Sequence, residues 1–166
     1  MMLPRLRVAL FLSAVAAGAA LGVAFASEWY GGLVPCALCL IERWPYRIAI
    51  ALGVLGLLLP RMLARIALAL LALSILAGAA AAAVHVGVEA KWWPSPLPEC
   101  AAPTFSGGTI AQRLASMPEK PSKPCDDPTY LIPFVPVSMA AMNLIYALVL
   151  CGAIVVFLWR SRRSGP

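Results

Sequence analysis

Charged side chains are scarce in this sequence, at 12% of 166 residues, where a soluble domain carries about a quarter. That shortage excludes an ordinary water-soluble globule. With 62% hydrophobic residues and a mean hydropathy of +0.88, it points to an integral membrane protein. Histidine is scarcer still, His85 being the only one. There is no internal repeat and no nucleic-acid-binding motif, so the formal net charge of +6 needs another explanation.

Four stretches, about 8–26, 37–59, 64–87 and 137–159, can cross a hydrocarbon core of about 30 Å, which takes roughly 20 helical residues. Backbone groups in lipid must be satisfied within their own segment, so the spans are helices. The predicted fold is therefore all-α, a single integral membrane four-helix bundle with outer loops at about 27–36 and 88–136. Acidic residues are absent from one side of these spans. Arg5, Arg7, Arg61, Arg65, Arg160, Arg162 and Arg163 flank that side and give it +7. The other side holds Arg43, Arg47, Lys91, Arg113, Lys120 and Lys123 with all seven acids, a net of −1. The positive-inside rule then places both termini in the cytoplasm. The basic balance reads as topology.

Arg5 and Arg7 followed by an apolar run ending Ala24-Phe25-Ala26 also resemble a cleavable signal peptide. Signal cores usually run 7–15 residues and this one runs about 19, which favours a retained helix. Gly18 and Gly22 form a G-x-x-x-G face expected to permit close helix packing. The outer loop at 88–136 contains ten of the fifteen prolines, which excludes a long helix or a sheet interior. Within it, Ile110, Leu114 and Met117 are spaced for a short amphipathic surface helix over Thr109–Met117, with a packed turn as the alternative.

Four of the five cysteines form two pairs on the outer side, where disulfides persist. Cys36-Ala37-Leu38-Cys39 opens the second span, and Cys100 and Cys125 lie in the long loop. A C-x-x-C is more often a reactive dithiol than a staple. A helix starting only at Pro45 would cover roughly 22 Å, too short for the core, so the second helix is expected to start near Ala37 with Pro45 as an internal kink. Cys36 and Cys39 are then expected in its first turn, where free N–H groups and the helix dipole favour a thiolate.

Cys36, Cys39, Arg43 and Arg47 share one stripe at i, i+3, i+7 and i+11. Arg43 falls at the lipid boundary, where an arginine is expensive and a functional candidate; Arg47 is expected to snorkel to headgroups. Glu42 is expected to pair with a neighbouring cation. Trp44 and Tyr46 are assigned to an interfacial aromatic belt. His85 lies at about the depth of the C-x-x-C, as a proton-handling group or as an interfacial hydrogen-bonding residue. Asn143 is expected to join helices, and Cys151 to be a small buried apolar residue.

Cys36-Ala-Leu-Cys39-Leu-Ile-Glu-Arg43-Trp-Pro-Tyr46 resembles the C-x-L-C-x-x-(Q/E)-R motif of the disulfide bond formation protein B (DsbB) family. His85-Val-Gly-Val-Glu-Ala-Lys-Trp-Trp, the Pro-rich approach to Cys100, Pro-Cys125-Asp-Asp and Ser138-Met-Ala-Ala-Met-Asn143 are similar to its later blocks. The resemblance spans about residues 10–160. It implies a bacterial inner-membrane enzyme, its active cysteines facing the periplasm. Such an enzyme reoxidises a soluble thioredoxin-fold dithiol oxidase (DsbA-like) and passes two electrons to a quinone, ubiquinone or menaquinone. By motif position, Cys100 forms the mixed disulfide with the partner, Cys125 is its pair, and Cys36 exchanges with the loop pair. Cys39 contacts the quinone with Arg43 beside the ring, and His85 is a further quinone-site candidate. Tyr130 stands where the family often has tryptophan, and Leu131–Pro136 is unusually Pro-rich.

A periplasmic oxidase of the implied kind sits near −120 mV and relaxed structural disulfides below about −300 mV, so oxidising one with the other runs uphill by roughly 180 mV, or about 8 kcal/mol. The resemblance therefore requires labile loop disulfides and a terminal acceptor that draws the exchange forward. Vitamin K epoxide reductases share the parts, but there the loop pair precedes the C-x-x-C, and here it follows. A non-catalytic membrane scaffold with a disulfide-stapled outer loop remains the alternative. A metal transporter is disfavoured because no further Cys, Met or His cluster joins Cys36 and Cys39.

Overall fold

The computed structural model describes residues 2–100, 109–115, 123–132 and 134–163. Those residues form α-helices without a β-strand: α1 (Met2–Trp29), α2 (Ala37–Leu58), α3 (Arg61–Glu89), the short α4 (Ile110–Ala115) and α5 (Met139–Arg163), with a 3-10 turn at Pro98–Cys100. Three segments, Leu3–Trp29, Arg61–Glu89 and Met139–Arg163, are long and apolar enough to cross a membrane. α2 is not among them, because Glu42, Arg43 and Arg47 all fall within it. Exposed positions along α1, α3 and α5 include large apolar residues, such as Phe11 on α1, Leu73 on α3 and Val149 on α5. That pattern suits a helix bathed in lipid better than one in water.

The helices pack in the order α1 on α2, α2 on α3 and α3 on α5. Leu10, Leu68, Leu71 and Ile75 are fully buried between them. Glycine sets how closely α2 approaches α1. A Cβ on Gly53 would lie 2.7 Å from Ala14 Cβ and 3.2 Å from Leu10 O, and one on Gly56 would lie 2.8 Å from Leu10 Cδ2. The expected Gly18–Gly22 face does not fill this role, since nothing lies within 4 Å of a Cβ at either position. Both glycines sit on the α1 surface away from the seam.

Pro45 lies inside a continuous α2. Its ring packs where α3 has Gly78, a Cβ there coming within 3.0 Å of Pro45 Cβ, and Ser74 Oγ donates to the Pro45 carbonyl at 2.9 Å. Leu59 ends α2 in an extended conformation, as the residue before a proline prefers. Pro60 then caps α3.

The far end of α3 turns through Lys91, whose φ of 58° is left-handed. Trp92 N donates to Gly87 O at 2.9 Å and Lys91 N to Val88 O at 3.0 Å, the paired bonds of a Schellman cap. The turn swings Trp93 back onto the helix, its indole N–H donating to Val84 O at 3.1 Å. Gly87 makes room for that ring, since a Cβ there would lie 1.9 Å from Trp93 Cζ2. α4 covers only part of the helix expected over Thr109–Met117, and residues 116–122 lie outside the described residues. Thr109 and Gln112 cap each other reciprocally at its start, as in a capping box.

Gly53→Leu should lower the thermal midpoint of detergent-solubilised protein by the equivalent of about 1–3 kcal/mol, the usual cost of overpacking. Gly22→Leu should leave it unchanged. Equal effects from the two substitutions would show that α1 and α2 do not meet at Gly53.

Candidate active site

Cys36 is the N-cap of α2, one residue outside the helix, and its sulfur accepts the Cys39 backbone N–H at 3.2 Å. The expectation that both cysteines share the first turn is thus corrected by one position. A Cys36 sulfur at the cap meets N–H groups that no intrahelical carbonyl can satisfy. The hydrogen bond with the Cys39 thiol, helped by these N–H groups and opposed by burial, holds the Cys36 thiol below its ordinary range. A lowered thiol carries more thiolate at neutral pH and is the more reactive for it.

The Cys36 and Cys39 sulfurs are 2.8 Å apart and unbonded. His85 Nε2 lies 3.5 Å from Cys36 Sγ. These three donors fall within 4.8 Å of one another, a soft set able in principle to hold zinc. Tetrahedral zinc with bonds of about 2.3 Å needs its sulfurs about 3.7 Å apart, so the pair would have to open to accept a metal. The observed spacing favours a dithiol poised to close.

Cys100 and Cys125 form a disulfide. Cys125 N donates to Cys100 O, and the strand-like pairing of Cys36 with Lys123 lays the loop segment along the C-x-x-C. Cys36, Leu38, Val88, Cys100 and Cys125 consequently form one buried cluster, with Cys39 packed against it. The two pairs, 61 residues apart in sequence between Cys39 and Cys100, are neighbours in space.

Arg43 is buried, and its partners come from α1: Nη2 donates to Glu28 Oε2 at 2.9 Å, and the guanidinium lies 4.8 Å from the centre of the Phe25 ring. Glu42 turns the other way. Its Oε1 lies 2.7 Å from His85 Nδ1 on α3, and its Oε2 accepts from Asn143 Nδ2 on α5 at 2.5 Å. Glu42 thus pairs with the histidine and not with an arginine. Adjacent helical residues point about 100° apart, so α2 sends its acid and its base to different helices.

Tyr46 is buried at 4% exposure and donates to Asn143 Oδ1 at 2.6 Å, which removes it from the aromatic belt. Trp44 is exposed, with Arg47 over its ring at 5.1 Å. Cys151 is buried, its thiol directed at Ala72 O at 3.6 Å and away from the other cysteines. Glu28, Phe25 and the contacts of Glu42 are not evident from the sequence pattern. A buried acid in an apolar helix is itself a signal of function, so Glu42 was findable; Glu28, at the end of α1, carried no comparable mark.

A cavity of about 290 Å³ opens beside this network, lined by Cys39, Glu42, Arg43, Tyr46 and His85 and walled by apolar residues of α1 and α5 such as Leu21, Val23 and Met142. The Arg43 Nε–H is buried without a partner among the described residues. An unpartnered buried donor at the edge of an apolar cavity fits a flat, lipid-soluble molecule bearing a carbonyl oxygen.

The model of the disulfide bond formation protein DsbB family matches residues 6–157. The chain belongs to the DsbB family. Membership makes it a membrane disulfide oxidoreductase, and it accounts for both cysteine pairs. No curated protein and no solved structure matches the chain significantly.

Replacing Tyr46 by Phe strands the Asn143 carbonyl and should cost about 1–3 kcal/mol, the penalty for an unsatisfied buried acceptor. Thermal unfolding in detergent measures it, and an unchanged midpoint would show that the Tyr46–Asn143 bond contributes nothing.

Proposed function

We propose that this protein is a quinone-dependent protein-disulfide oxidoreductase of the bacterial inner membrane. In this reading all four long helices span the bilayer as a bundle, both termini are cytoplasmic, and the cysteines face the periplasm. α2 crosses despite Glu42 and Arg43 because both are partnered from neighbouring helices, as intramembrane charges require. The chain acts as a monomer.

The observation carrying this reading is the junction at Cys36: the loop disulfide packs against it on one side, and Cys39 lines an apolar cavity on the other. Cys100 takes the thiolate of a reduced, soluble thioredoxin-fold oxidase (DsbA-like), and Cys125 leaves. The loop dithiol then reduces the Cys36–Cys39 disulfide, and Cys36 is the sulfur attacked. A quinone, ubiquinone or menaquinone, supplies the two-electron sink when bound in the cavity. Cys39 would face it there, and the Arg43 N–H groups would orient a ring oxygen and stabilise charge developing on it. Phe25 and Glu28 keep the guanidinium in place. The neighbouring apolar walls exclude water from the transfer.

The test is quinone reduction by detergent-purified protein given reduced thioredoxin-fold partner. Wild type should turn over. Cys39→Ser should lose quinone reduction by more than a hundredfold while still trapping a mixed disulfide at Cys100, because a hydroxyl cannot replace the thiolate. Arg43→Met should raise the quinone KM by roughly tenfold or more, the loss of one charge-assisted hydrogen bond. Unchanged turnover in Cys39→Ser removes Cys39 from the electron path.

A further inference from the structure

Glu42 is among the most expensive side chains in the molecule to place. It is 6% exposed, on an apolar helix, and is held from two sides. Charge balance for Arg43 does not explain it, since Arg43 takes Glu28 from α1. What Glu42 grips is the Nδ1 side of His85, and the opposite ring nitrogen faces a sulfur: Nε2 lies 3.5 Å from Cys36 Sγ. A carboxylate accepts, so Nδ1 carries the hydrogen; in the neutral ring Nε2 then presents its lone pair to Cys36, and in the imidazolium it donates there. Asn143 pins the second Glu42 oxygen, and Tyr46 pins Asn143. The carboxylate therefore has no freedom to swing toward another partner.

We propose that Cys36, His85 and Glu42 form a thiol–imidazole–carboxylate triad, in which His85 Nε2 takes the Cys36 proton and Glu42 is the positioning residue that fixes the ring. The inference rests on the reading of Cys36–Cys39 as the redox pair. It goes beyond that reading by assigning the proton chemistry that electron transfer needs. Closing the Cys36–Cys39 disulfide releases two electrons and two protons, and reduction of a quinone to the quinol consumes both of each. His85 takes the Cys36 proton at Nε2 and becomes an imidazolium stabilised by the Glu42 carboxylate. His85 also lines the cavity, so it would hold that proton beside a quinone bound there. Cys39, itself on the cavity wall, loses the second proton there directly. In the reverse sense, the imidazolium protonates Cys36 when the disulfide is reopened by the loop dithiol.

The titratable groups facing the His85 ring are Cys36, Cys39 and Glu42 from α2 and its cap, together with Glu89 of its own helix, whose Oε1 lies 3.9 Å from Nε2. Its other oxygen, Oε2, accepts from the hydroxyl of Ser138, just before α5, while Oε1 remains toward the ring. α5 otherwise contributes the neutral Asn143, and the α1 acid Glu28 is occupied by Arg43. In serine-hydrolase triads, exchanging the orienting carboxylate for an amide keeps the geometry yet costs about 10⁴ in kcat through the wrong tautomer. The same logic applies to Glu42.

The test reads thiol chemistry without quinone. Full-length protein is reduced and stripped of quinone, and the rate of iodoacetamide modification at Cys36, identified by peptide mapping, is followed against pH. His85→Asn should move the midpoint upward by about one pH unit or more and slow modification at pH 7 by about tenfold; Glu42→Gln, which also removes a negative charge that raises the Cys36 thiol, should move it upward by less. Glu42→Asp should recover part of the shift. Asn143→Ala, which loosens the carboxylate and also frees the Tyr46 hydroxyl, should give a smaller shift of the same sign and serves if Glu42→Gln does not fold. Mixed-disulfide formation at Cys100 reports an intact loop site in each variant. Superimposable profiles in wild type and Glu42→Gln, or in Asn143→Ala where that variant is used, overturn the triad. If wild type fails to reduce quinone yet the profiles shift, the triad stands and the quinone reading falls. Quinone turnover with unshifted profiles overturns the triad and leaves the quinone reading standing.

Discussion

A carboxylate buried among apolar helices must be partnered or it will not stay charged, and that constraint organises the structure around Glu42. Removing one partner of such a group costs several kcal/mol, so helices that satisfy Glu42 are held in one arrangement. His85 reaches it from α3 and Asn143 from α5. α2 is thereby tied to two helices by polar contacts. On its other side the glycine seam at Gly53 and Gly56 brings α1 close. In a lipid-like setting, where apolar burial alone does little to hold helices together, polar ties and close backbone contact carry more of the packing.

The same tie aims the chemistry. Holding His85 by Nδ1 leaves Nε2 toward Cys36, and holding Arg43 by Glu28 and Phe25 leaves its Nε–H, beside the cavity, unpartnered among the described residues. The first turns of α2 and its cap, together with His85 of α3, thus bring a thiol pair, an imidazole and a guanidinium into a small space. Each is oriented by a residue from a different helix. The loop disulfide completes the site from above, docked on Cys36 through the Lys123 pairing and the shared apolar cluster.

Much of this was legible in the linear chain. The apolar runs marked the long helices, and the C-x-x-C with its following Glu-Arg marked the site and the family resemblance. The role of Asn143 as a tie between helices was also readable, because an amide in an apolar helix has few other partners. Other readings failed for a common reason. Gly18-x-x-x-Gly22 has the right spacing for a packing face, but spacing on one helix does not say which azimuth meets a neighbour. Tyr46 has the composition of a belt residue, and only the position of Asn143 across the bundle draws it inward.

Residue type and spacing alone determined that this protein is helical and apolar, that it carries two cysteine pairs, and that an arginine and an acid follow the first pair. Tertiary structure decided who pairs with whom. Neighbours on a helix diverge by about 100°, so Glu42 and Arg43, adjacent in the chain, part company and serve different helices. Which helix lies on each side is a property of the packed assembly. It is that assembly, and no local pattern, that sets a histidine between a carboxylate and a thiol.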